Sequence, residues 1–158
     1  MEKEVLIFQI SGQKYGVPVS DLQGIENYTP VTAVANAPDF IEGIIRIRDE
    51  VYPVLDLKMK FSMAATEITL DTKQLVLNSN AGKVVCAVDS VVEISTVQGK
   101  DIQPCPLIVR SKNTLYVDCV IRNKEDLIVV IDVNQLFDKS ECSEVMEFGK
   151  EQGKAPLI

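Results

Sequence analysis

The stretch Glu50–Phe61, EVYPVLDLKMKF, returns in altered form as Asp126–Phe137, DLIVVIDVNQLF. Each copy opens on an acidic residue and runs through five mostly apolar positions to an aspartate. One apolar residue, three variable ones and a phenylalanine follow. A second pair behaves the same way: Val17–Ile25 (VPVSDLQGI) and Cys86–Ile94 (CAVDSVVEI) share a strand end, a short polar turn and an isoleucine at the same offset. Self-similarity on this scale means one supersecondary unit used twice. The apolar runs are strand-sized, and no segment carries a long helical period. Duplication of a short-strand unit predicts two similar small β-barrels.

Along the chain, residues 4–11 alternate at strand period, with Leu6, Phe8 and Ile10 on one face. A turn at Ser11–Gln13 leads into a second strand ending near Pro18. Ser20 and Gln23 stand at capping-box spacing for one helical turn. Ile25–Val34 reads as extended chain broken at Thr29-Pro30, and Asn36-Ala37-Pro38 marks another turn, with Asn36 as its cap. GIIRIR and VYPVLDL form a hairpin joined through Asp49-Glu50, and strand alternation puts Arg46 and Arg48 on one face. A connection is placed near 62–72. Strands resume at KQLVLNS, KVVCAVDSV and VEISTV; Gln103–Leu107 is too proline-rich for a central strand. A last hairpin turns around Asn123-Lys124-Glu125. Asp56 and Asp132 end apolar strands and read as helix N-caps rather than chemical groups. The reading divides the chain into a folded domain over 4–138 and a polar tail over 139–158, expected to be a frayed helix or disordered.

Composition narrows the function. The net charge of -7 is repelled by nucleic-acid backbones and anionic lipid, so no nucleic-acid partner is expected. There is no histidine, which removes the commonest general base and the usual partner of a nucleophile. The four cysteines form no C-x-x-C pair and read as reduced thiols, without zinc or disulfide. Phosphate-binding glycine loops and nucleophile elbows are absent. The expectation is a non-enzyme that needs no cofactor and no metal. The first residues lack signal-peptide character and no apolar run spans a bilayer, so a cytoplasmic protein without membrane insertion is expected.

Over Glu4–Phe137 the ordered combination of segments resembles the CheW family of chemotaxis adaptors. Phe8–Ile25 is similar to the family's opening strand pair; Thr32–Arg48 followed by Pro53–Phe61 is similar to its central signature; Asp89–Ile94, Ile102–Pro106 and Leu127–Val133 follow its later pattern. The resemblance implies two intertwined five-stranded β-barrel lobes sharing a hydrophobic junction. It also implies an adaptor coupling the regulatory domain of the histidine kinase CheA to the cytoplasmic tips of methyl-accepting chemoreceptors, recruited to membrane-associated arrays. No receiver-like segment or kinase domain is expected beside it.

Where the family usually has asparagine, an aliphatic residue, arginine and glycine, this chain has Arg46, Ile47, Arg48 and Asp49. Arg48 matches the family arginine implicated in receptor coupling, whereas Arg46 reads as solvated surface. With Arg48, the receptor-binding set implied is Gly43, Ile41, Leu22, Ile25, Val88 and Val91. Most of the apolar members are expected in the core, and the rest at a groove for an amphipathic receptor helix. Two alternatives remain at this level: an adaptor of a type IV pilus or other chemosensory-like pathway, and a small-ligand binder with its site between the lobes.

Overall fold

The computed structural model describes residues 2–61, 67–104 and 117–136. Eleven strands are seen among them: β1 (Glu2–Ile10), β2 (Gln13–Pro18), β3 (Leu22–Asn27), β4 (Ile41–Ile47), β5 (Glu50–Leu55), β6 (Lys73–Ser79), β7 (Gly82–Val88), β8 (Ser90–Gln98), β9 (Ile102–Pro104), β10 (Val117–Asn123) and β11 (Asp126–Ile131). Among the described residues the one α-helical turn, α1, is Leu57–Lys60, and 3-10 turns occupy Val19–Asp21, Gly99–Asp101 and Val133–Gln135. The expected tail over 139–158, Phe137, and residues 62–66 of the connection near 62–72 lie outside the described residues.

The strands form two sheets. One has the order β8-β1-β2-β11-β10-β9, the other β3-β6-β7-β5-β4. The architecture is therefore mainly β in two lobes, as expected. The first sheet has six strands rather than five, because β9 adds three residues against the edge of β10. Its proline falls where a missing donor is tolerated.

The duplication explains why the lobes interlock. After hairpin β1–β2 the chain crosses to the other sheet, where β3 pairs with β6; after hairpin β6–β7 it crosses back, where β8 pairs with β1. Each first hairpin is joined by a parallel contact to the last strand of the opposite repeat unit, β2 to β11 and β5 to β7. The repeats agree in detail. Strands β4 and β10 have the same order of buried and exposed positions, and pairing skips Glu42 and Asp118 at the corresponding place in each. A second matched pair of bulges skips Gln23 in β3 and Val92 in β8.

Three apolar clusters follow from strand alternation. Val5, Ile7, Val97, Cys119, Ile121, Ile128 and Val130 fill the first lobe. Ile45, Val54, Val76 and Val85 fill the second. The opposite faces of both sheets meet in the largest cluster, which includes Leu6, Phe8, Ile10, Leu55, Leu75, Leu77 and Ile131. That cluster is the hydrophobic junction. Each fully buried aliphatic or aromatic side chain there contributes about 1.5–3 kcal/mol, so the lobes are held as one body.

Both N-cap expectations hold: Asp56 accepts from Met59 N at 3.0 Å and Asp132 accepts from Asn134 N at 3.0 Å. The capping box does not form. Ser20 lies inside a 3-10 turn with no side-chain cap, and Gln23 is the bulge residue of β3. Asn36 sits at φ 63, a turn conformation rather than the expected cap.

Of the four cysteines, Cys86 and Cys119 fall among the described residues, and both are free thiols. Burial pushes the Cys86 thiol up to about 12, leaving almost no thiolate at neutral pH. Thiol labelling of the native protein at pH 8 should therefore leave Cys86 unmodified until denaturant is added. Rapid native-state modification of Cys86, mapped by mass spectrometry, would contradict the packing of the junction.

Candidate functional site

Hairpin β4–β5 turns one residue earlier than its sequence suggests. Ile47 pairs with Glu50, so the two-residue loop is Arg48-Asp49, with φ 49 and 75. Two consecutive positive φ values make a type I′ turn, whose twist suits a two-residue hairpin. Arg48 is thus a loop residue and does not share a strand face with Arg46. The left-handed region costs about 1–2 kcal/mol for a residue with a Cβ, and aspartate tolerates it better than most.

At this tip Arg48 Nη2 lies 3.3 Å from Glu26 Oε1 of β3, with the arginine side chain 84% exposed. Strands β3 and β4 are opposite edges of their sheet, so this ion pair reports that the sheet has rolled until its edges approach. Thr32 completes the approach. Its N donates to Ile44 O and its O accepts from Ile44 N, both at 2.9 Å. Gly43 fits under that bridge because it has no side chain: a Cβ there would lie 2.2 Å from Thr32 O. The first lobe repeats the device. Lys124 has φ 60 at the β10–β11 tip, and Asn123 Nδ2 donates to Glu93 Oε1 of β8 at 3.2 Å.

The remaining residues of the predicted set divide by depth. Ile41 and Val88 are interior members of the junction cluster, so they have no surface to offer a partner; they shape the site from beneath. Leu22 and Val91 are partly buried against the same cluster. Ile25 is 40% exposed, three residues beyond Leu22. Sequence reasoning missed its counterpart: Ile94 is 55% exposed, three residues beyond Val91. The signal was available, since Ile25 and Ile94 are the isoleucines that end the duplicated segments.

Asp89 is a second omission. It stands where the chain crosses from β7 to β8, accepts from Ser11 N at 2.7 Å and pairs with Lys58 Nζ at 2.9 Å. Those bonds tie the β1–β2 turn of one lobe to α1 of the other. Charge-assisted hydrogen bonds of this kind contribute about 1.5–3 kcal/mol each, so Asp89 holds the lobes in register. Beside it is a cleft of about 130 Å³ lined by Tyr28, Glu42, Asp56, Leu57 and Lys58. Burial, with the nearby Asp56 carboxylate, raises the Glu42 carboxyl above its ordinary value. The cleft is well below the roughly 300–1,000 Å³ of small-molecule sites. Among the described residues no three His, Cys, Asp or Glu side chains converge to hold a metal, and no helix is long and apolar enough to cross a membrane.

The family model of the CheW-like domain matches residues 4–141. The chain belongs to the CheW-like domain family. The chemotaxis protein CheW of Klebsiella aerogenes is 29% identical over 148 residues, covering 94% of this chain and 89% of that protein. The CheW of Bacillus subtilis is 26% identical, covering 87% of this chain and 88% of that one. The crystal structure of the scaffolding protein TtCheW from Thermoanaerobacter tengcongensis superposes with a TM-score of 0.78 at 26% identity, covering 87% of this chain and 94% of that one. Protein FrzA of Myxococcus xanthus is 28% identical over 106 residues, covering 67% of this chain and 66% of that one. The CheW-like fold therefore spans both lobes of this chain.

Proposed function

We propose that the protein is a non-enzymatic adaptor of a chemotaxis signalling array, joining the regulatory domain of CheA to the cytoplasmic tip of a chemoreceptor. Membership of the CheW-like family over nearly the whole chain supports the adaptor role. The observation that carries the receptor side is the β4–β5 tip. It presents an exposed arginine paired with Glu26 of β3, the strand on which Ile25 is also exposed. An amphipathic receptor helix brings acidic groups to Arg48 and apolar ones to Ile25. Leu22 and Val91 form the floor, and Ile41, Gly43 and Val88 support it. The folded domain over 4–138 carries this activity, and the array recruits it to the membrane from the cytoplasm.

The test is bridging. Receptor-bearing membranes mixed with CheA should retain the kinase on sedimentation only when this protein is present. Equal kinase retention with and without it would contradict the adaptor reading. The match to FrzA, a relative carrying a different name, favours a second reading in which the same adaptor serves a type IV pilus or other chemosensory-like pathway. The receptor retained on an affinity column of this protein separates the two.

A further inference from the structure

The β4–β5 tip carries a second charge pair that folding does not require. Arg46 Nη2 lies 3.3 Å from Asp49 Oδ1, and the Asp49 side chain is 93% exposed. Asp49 holds this place at φ 75, where glycine is the least strained residue. An exposed pair of this kind adds little to stability, so the aspartate brings backbone strain without an offsetting contribution to the fold. A positive φ is also found at Lys124 on the other lobe's tip and is what a type I′ hairpin requires, so the order of charges is what sets this tip apart. The rest of the tip is also charged and internally matched. Arg48 pairs with Glu26, and Glu50 accepts from the Tyr52 hydroxyl. Any partner meeting the tip therefore meets charges of both signs, in the order Arg46, Arg48, Asp49.

We infer that Arg46 and Asp49 are specificity-determining residues, selecting a partner helix with an acidic residue for Arg46 and a basic residue for Asp49 one turn apart. Side chains three or four residues apart lie side by side on a helix, so one helix face can present both charges to the tip. A helix with the reverse order places like charges together and is rejected, which is how charge patterns discriminate among related partners. Arg48 supplies attraction common to all acidic partners, while the Arg46–Asp49 pair ranks them. This inference rests on the receptor-binding reading above.

The experiment uses the full chain and soluble cytoplasmic fragments of the chemoreceptors from the source organism, with affinities measured by calorimetry. Asp49→Gly should melt no lower than wild type yet bind the preferred fragment about tenfold more weakly, and the spread of affinities among fragments should shrink. The exchange R46D/D49R keeps an ion pair but reverses its order. It should weaken the preferred fragment at least tenfold, and binding should recover when the facing charges on that fragment are exchanged as well. Affinities and ranking within twofold of wild type in both variants would overturn the inference. If Arg48→Ala weakens every fragment while the exchange changes nothing, the inference alone fails. If wild type binds no fragment, the receptor-binding reading fails and takes the inference with it.

Discussion

Gly43→Val is expected to unfold the second lobe. The added Cβ would lie 2.2 Å from Thr32 O and 2.8 Å from Val31 Cγ1, and the first of these is backbone that cannot rotate away. Relief requires Thr32 to leave β4, which breaks the two 2.9 Å hydrogen bonds to Ile44. Each hydrogen bond lost costs about 0.5–1.5 kcal/mol, and overpacking adds about 1–3 kcal/mol. Against a total stability of about 5–15 kcal/mol, the variant should melt far below wild type or fail to accumulate. Gly43→Ala should lower the melting temperature by about 10 °C or more, on a scale of roughly 2–4 °C per kcal/mol for a chain of this size. Gly99→Ala is the control, because a Cβ there meets nothing within 4 Å, and its melting curve should nearly overlay wild type. A Gly43→Ala protein melting within about 3 °C of wild type would show that the sheet edges do not close as described.

The parts of the fold legible in the sequence are those set by neighbours along the chain. Strand alternation through Leu6, Phe8 and Ile10 was readable because all three bury into one cluster. Asp56 and Asp132 were readable because a cap bonds to a backbone two or three residues away. The exchange of strands between lobes was not legible from residue patterns, since it depends on pairings such as β1 with β8 across some ninety residues of chain; the family resemblance implied it. The sequence suggests a tip one residue too late because a turn of arginine and aspartate lacks the glycine or asparagine that usually marks a type I′ hairpin. Depth was the other gap. Ile41 and Val88 carry no local sign that the opposite sheet covers them, whereas Ile25 stays exposed on an edge strand. Gln74 makes the same point for polar residues. It is fully buried, its Oε1 accepting from Thr29 N at 3.0 Å and its Nε2 donating to Thr29 O at 2.9 Å. Its side chain thus serves as a strand partner for a segment that has none.

The largest functional effect is expected at Arg48. For folding the residue matters little: its side chain is 84% exposed, and its pair with Glu26 is worth about 0.2–1 kcal/mol. At a partner interface the balance changes, because truncating one member of a desolvated, hydrogen-bonded charge pair costs about 2–5 kcal/mol of binding. That range is roughly 30- to several-thousand-fold in dissociation constant. Arg48→Ala should therefore keep wild-type circular dichroism and melting temperature while losing receptor binding. Lys124→Ala removes the corresponding residue from the other lobe, at nearly the same backbone conformation, and should bind as wild type does.

The most direct measurement is the affinity of a receptor cytoplasmic fragment for wild type, Arg48→Ala and Lys124→Ala, followed by receptor-dependent CheA activity with each. Arg48→Ala alone should lose at least 30-fold in affinity and fail to activate the kinase. Equal affinity and equal activation for all three proteins would show that Arg48 is only hairpin surface and that the receptor docks elsewhere.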